Sequence, residues 1–160
     1  LDVPRANTMI VWRADRFGAV ADFLARNKGA QVALVGAESD CDIGARAGSQ
    51  LLDLCGKTSL RQLLAVLERA VLFVGVDSGV MHLAAAVGTP CVALFGPSDP
   101  ELTGPQGEGH EVVRLGLDCS PCLGKTCPYN RECMENLTVE LAIGAIERTW
   151  YRASADWRGR

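Results

Sequence analysis

The sequence predicts a single α/β domain in which a Rossmann-like parallel sheet carries helices on both faces. Three observations predict it. Short apolar runs alternate with segments of helical spacing almost from end to end, the pattern of βα units. The strand segments are near-continuously apolar, as strands buried on both faces are. The length, 160 residues, suits one core of ordinary size, with 48% hydrophobic and 22% charged residues, both normal for a globular protein.

The elements follow in order. From Asp15 to Lys28, apolar residues at Phe17, Val20, Ala21 and Leu24 keep helical spacing, and Gly29 stops the helix. Gln31 to Gly36 reads as a buried strand, Asp40 to Gln50 as a helix, and Leu51 to Cys55 as a weaker strand closed by Gly56. Ser59 and Gln62 form a capping box, which starts a helix from Leu60 to about Ala70. Val71 to Gly75 is a strand, Gly79 to Val87 a helix stopped by Gly88, and Pro90 to Phe95 the next strand. A Gly- and Pro-rich loop runs from Gly96 to Gly109, and Glu111 to Arg114 forms an edge strand. Thr138 N-caps a last helix reaching about Arg152.

The chemistry concentrates at Val76-Asp77-Ser78-Gly79, where a buried strand turns into a helix. Open parallel sheets bind ligands at the carboxyl ends of their strands, and a helix N-terminus offers free N–H groups and a positive dipole end to phosphate. Gly79 has no side chain to hold a phosphate off the backbone. Ser78 adds a hydroxyl, and His82, one turn on, can face the same ligand. A bare carboxylate repels phosphate, so Asp77 is expected to cap the helix or order the loop, with a direct ligand role as the alternative. A hydrogen-bonded helix histidine is the alternative for His82. The turn at Gly96-Pro97-Ser98-Asp99-Pro100 follows the neighbouring strand, so two adjacent loops can share one ligand.

The run from Val76-Asp77-Ser78-Gly79 through His82 to Gly96-Pro97-Ser98-Asp99-Pro100 closely resembles the signature of family 9 glycosyltransferases, which include the ADP-heptose:lipopolysaccharide heptosyltransferases. Arg16-Phe17, Val35-Gly36, the segment Gly56 to Leu60, Cys119 to Cys122 and Cys133-Met134 extend the resemblance, which covers roughly Trp12 to Trp150. It corresponds to the C-terminal, donor-binding half of the two-domain GT-B fold, without the N-terminal acceptor domain. The resemblance implies an inverting transferase that moves heptose or a related sugar from an ADP-sugar to a lipopolysaccharide-core-like acceptor, with no required cofactor. It places Asp77, Ser78, Gly79 and His82 against the diphosphate and sugar, Thr58 against adenine, and Asp40, with Glu38 second, on the ribose hydroxyls. The catalytic base is expected in the N-terminal half, so no catalytic residue is assigned here, and the 160 residues alone are expected to be inactive. The family's glycine-bearing loop and Lys before a Trp do not precede Trp12; the Lys position falls at Ile10, which removes one positive charge from the diphosphate site. A non-catalytic nucleotide-binding module is the alternative from another class, and a related nucleotide-sugar epimerase is a third.

Cysteine usage is high, seven in all. Cys41, Cys55 and Cys91 sit singly in apolar segments and are expected to pack as small hydrophobes. Cys119, Cys122, Cys127 and Cys133 form C-x2-C-x4-C-x5-C, which admits a structural Zn²⁺ clip, free thiols or loop disulfides. The formal net charge of −3 without a basic stripe argues against a nucleic-acid partner. At the C-terminal end, Arg148, Arg152, Arg158 and Arg160 interleave with Trp150, Tyr151 and Trp157; the favoured reading is a solvated helix end, and peripheral contact with an anionic membrane is the other. With neither a signal-peptide core nor a spanning segment in these residues, a cytoplasmic location, peripheral to the inner membrane, is expected.

Overall fold

The computed structural model describes residues 12–38, 51–124 and 126–157, with the side chains of 154–157 left aside. The expected helix from Asp40 to Gln50, and with it Asp40 and Cys41, lies outside the described residues, as do Ile10 and the segment before Trp12.

The first helix, α1 (Ala14–Lys28), buries Val20, Ala21 and Leu24 and ends at Gly29, whose φ of +62° is the left-handed turn glycine allows. Two short parallel strands follow, β1 (Ala33–Leu34) and β2 (Leu52–Asp53). Both are shorter than expected, although flanking bonds from Leu54 N–H to the Leu34 carbonyl and from Gly56 N–H to the Gly36 carbonyl, each 2.9 Å, carry the pairing on. The next helix, α2 (Leu60–Glu68), begins on the full Ser59/Gln62 capping box.

The strand β3 (Phe73–Val76) leads into α3 (Gly79–Ala86) and then β4 (Cys91–Phe95). A four-residue helix, α4 (Pro100–Thr103), interrupts the expected loop before β5 (Glu111–Arg114). A second unexpected short helix, α5 (Glu132–Glu135), precedes α6 (Val139–Trp157), where Thr138 Oγ1 accepts from Leu141 N–H as an N-cap.

The strands β3, β4 and β5 form a parallel sheet in that order, with β4 central. Every residue of β4 is buried, and the pleat sends them to opposite faces. Val92 and Leu94 join Leu24, Val113, Leu137, Ala142 and Ile146 beneath α1 and α6. Cys91 and Ala93 with Phe95 face α2 and α3, against Leu67, Ala84 and Met81. Helices thus cover both faces, which makes this a doubly covered α/β sheet. Cys55 and Cys91 are buried, as small hydrophobes should be.

Long-range polar ties lock the layers. Trp12 donates its indole N–H to the Leu137 carbonyl at 2.7 Å and stacks edge-on to Phe17. The Arg16 guanidinium donates to the carbonyls of Met134, Glu135 and Leu137, placing a cation where α5 leaves unpaired carbonyls. After α3, Gly88 N–H bonds the Ala85 carbonyl and Thr89 N–H the Ala84 carbonyl, a Schellman ending made by Gly88 at φ +78°. The buried Thr89 hydroxyl then donates to the Leu67 carbonyl at 2.6 Å, fixing α3 to the end of α2.

Candidate functional site

The carboxyl ends of β3 and β4 position the site. Val76 ends β3, Ser78 is the N-cap of α3 with its backbone still extended, and Gly79 is the first helical residue. Ser78 Oγ accepts from Met81 N–H at 3.4 Å, which leaves its own hydroxyl proton available to a ligand. The amides of Gly79 and Val80 stand in the first turn, where no carbonyl exists four residues earlier within the helix. A Cβ built at Gly79 would meet nothing within 4 Å, so this end of α3 faces open space. Met81, fully buried on the opposite side of the helix, holds α3 on the sheet.

The expectation that Asp77 caps the helix gives way here, because Ser78 does that. Asp77 orders the loop instead: its side chain is only 11% exposed, and its Oδ2 accepts from the Thr103 hydroxyl at 3.0 Å. Its other oxygen, Oδ1, lies 3.9 Å from Nε2 of the half-exposed His82. Thr103 sits in α4, whose start is fixed by Asp99 as N-cap and Pro100 in the first position. One carboxylate therefore joins the turn after β3 to the turn after β4.

Asp77, Ser78, Gly79 and His82 are thus brought together on one turn. Thr58 stands apart, half-buried after β2 and just before the α2 cap, and makes no hydrogen bond to them. Glu38 packs beside Gly56, whose φ is +65°. Sequence reasoning missed Thr103, although the dipeptide Asp99-Pro100 carried a helix-start signal that would have drawn attention to it. Within the Gly96 to Pro100 turn, expected to share the ligand, Ser98 is buried and its hydroxyl has no hydrogen-bond partner among the described residues.

Two concavities lie away from this turn. An open cleft of about 400 Å³ is lined by Leu117, Asp118, Cys119, Tyr129 and Glu132. A smaller cavity of about 90 Å³ lies among the four clustered cysteines. The C-terminal arginines are partly engaged by the fold: Arg148 and Arg152 both reach the Glu111 carboxylate on β5, as does the Thr149 hydroxyl. Trp150 packs against the core, while Tyr151 is exposed. Among the described residues no helix is long and apolar enough to cross a membrane.

Free helix-terminus amides at the carboxyl ends of parallel strands are the arrangement that nucleotide-binding α/β domains use. Residues 8–132 match the profile of Glycosyltransferase family 9 (heptosyltransferase), and the chain belongs to that family. It is 41% identical over 93 residues to lipooligosaccharide heptosyltransferase 2 of Campylobacter jejuni, covering 57% of this chain and 29% of the relative. The fold matches the crystal structure of the glycosyl transferase family 9 protein of Veillonella parvula with a TM-score of 0.79 and 27% identity, over 92% of this chain and 44% of that one. It also matches the structure of E. coli heptosyltransferase WaaC with ADP, with a TM-score of 0.72 and 25% identity, over 90% of this chain and 41% of that one. The chain therefore spans less than half the length of these relatives.

Proposed function

We propose that these residues are the donor-binding half of a glycosyltransferase that moves heptose, or a related sugar, from an ADP-sugar to a lipopolysaccharide-type acceptor. The observation that carries this reading is the turn from Asp77 to His82, tied to α4 by Thr103 and open to solvent at Gly79. In the reaction an acceptor hydroxyl attacks the anomeric carbon, the bond to the diphosphate oxygen breaks, and a carboxylate base takes the hydroxyl proton. Inversion follows from attack opposite the leaving group. Negative charge grows on the departing ADP, where the amides of Gly79 and Val80, the Ser78 hydroxyl and His82 supply donors. Asp77 stays out of that charge by bonding Thr103, and its second oxygen faces His82.

The remaining roles rest on family resemblance. Thr58 is assigned to the adenine, Asp40 to the ribose, and the base and acceptor contacts to the half of the fold that these residues do not match. A site completed by a second domain accounts for the open surface at Gly79. The family match favours this enzymatic reading over a non-catalytic nucleotide-binding module. Work on a lipid-linked acceptor fits a cytoplasmic enzyme peripheral to the inner membrane.

Calorimetric titration of the chain with ADP, UDP and GDP tests the reading. ADP is expected to bind tightest, and a clear preference for UDP overturns it. The 160-residue chain is expected to transfer no sugar by itself; measurable transfer would show that a base lies within it.

A further inference from the structure

We infer that Cys119, Cys122, Cys127 and Cys133 form a four-thiolate site for one Zn²⁺ ion, and that the ion braces the turn following β4. The inference is independent of which nucleotide the domain binds.

All four cysteines line the same cavity of about 90 Å³, and Thr126, Tyr129 and Glu132 are among the other residues of its wall. The backbone bends around it through three non-glycine residues with positive φ: Leu123 at 51°, Asn130 at 51° and Arg131 at 59°. Left-handed conformations cost energy at Leu123 and Arg131 and persist there only where the surroundings impose them, whereas asparagine adopts them readily. The Arg131 N–H donates to Cys127 Sγ at 3.3 Å, which ties that sulfur to the bend of the loop.

Among the described residues no three His, Cys, Asp or Glu side chains form a ready metal cage. Binding therefore requires the four sulfurs to turn inward until each stands about 2.3 Å from the ion, into space they already line.

The placement gives the site a task. Pro97, in the turn after β4, accepts hydrogen bonds at its carbonyl from Cys122 N–H at 3.0 Å and Leu123 N–H at 2.9 Å. The Ser120 hydroxyl donates to the Gly96 carbonyl. A Cβ at Gly96 would overlap Met134 Sδ and stand 3.1 Å from Cys133 Sγ. The cysteine loop thus grips the residues that lead directly into α4, where Thr103 holds Asp77. A metal at the four thiols ties that grip to a single point.

The test uses the whole chain, purified reduced and without added zinc. Metal analysis is expected to find about one equivalent of zinc. Cobalt(II) replacing it should give intense thiolate-to-metal charge-transfer absorption and the visible bands of a tetrahedral site. The clustered thiols should resist a thiol reagent until a chelator is added, and the chelator should lower the melting temperature. Cys122→Ser, at an exposed corner, should weaken cobalt binding at least about tenfold while leaving the far-UV circular dichroism unchanged. Less than about a tenth of an equivalent of metal together with no tetrahedral cobalt spectrum overturns the proposal. So does wild-type cobalt affinity in both Cys122→Ser and Cys127→Ser, a mass that reveals disulfides among the four cysteines, or an iron–sulfide chromophore in place of zinc.

Discussion

Removing the Thr103 hydroxyl tests whether one carboxylate couples the two ligand-facing turns. Thr103→Val keeps the shape of the side chain and deletes the donor that meets Asp77 Oδ2 at 3.0 Å. The same hydroxyl also lies 3.1 Å from the Asp99 carbonyl, and its single proton serves one acceptor at a time. The charged carboxylate is the stronger acceptor, so its loss dominates. A hydrogen bond to a charged group contributes about 1.5–3 kcal/mol. Asp77 is largely shielded, with 11% of its side chain exposed, so water replaces the lost donor poorly. Thr103→Val should therefore cost about 1.5 kcal/mol of stability. In a double-mutant cycle with Asp77→Asn, urea unfolding should show a coupling of about 1 kcal/mol between the two sites. ADP affinity should fall several-fold in Thr103→Val because the β3 turn loses its brace. Additive effects, with a coupling below about 0.3 kcal/mol, would refute the claim that Thr103 and Asp77 act as one unit.

Three further outcomes follow from the same geometry. Gly79→Ala should leave urea unfolding nearly unchanged, since a Cβ there meets nothing within 4 Å, yet weaken ADP binding about tenfold by intruding on the phosphate; equal ADP affinity by calorimetry would move the ligand off this turn. Gly96→Ala should cost about 1–3 kcal/mol in urea unfolding by driving a methyl into Met134, and a wild-type midpoint would contradict the close approach. Burial pushes the Cys91 thiol up to about 12, above its unfolded value, so its contribution is intact below about pH 9 and is lost as pH rises toward 12. Between those limits wild-type stability should fall faster than that of Cys91→Ala by about 1 kcal/mol per pH unit, and parallel pH profiles of the urea midpoint would count against it.

What the sequence made legible was local. The Ser59/Gln62 box, the Gly29 and Gly88 stops and the Thr138 cap are each written within four or five residues, and each appears where its side chains dictate. β4 was legible because both of its faces are buried, which demands an unbroken apolar run. β1 and β2 were overextended because apolar character says that a segment is buried, while strand length is set by the partner. The two short helices were missed because four residues leave no periodicity to read; the Asp99 cap alone betrays α4, and α5 begins at Arg131 without a side-chain cap. At the site, the strand–helix junction was visible, but the division of labour was not. Ser78 and Asp77 are both good caps by composition, and which one caps depends on Thr103, which lies 26 residues away in sequence. Arg16 holds three carbonyls more than a hundred residues downstream, a role no spacing rule exposes.

The close seating of Gly96 on Met134 bears on how such domains diverge. The turn after β4 forms a party wall: one side serves the Asp77 loop and the other is the floor of the cysteine loop. A lineage that reshapes the cysteine loop must still hold the Gly96 and Pro97 carbonyls, and a larger residue at 96 becomes tolerable only after Met134 shrinks. Drift on the two sides is therefore not independent. Exchanging the cysteine loop between relatives should succeed when the residues at 96, 97 and 134 travel with it, and leave a misfitted turn when they stay behind.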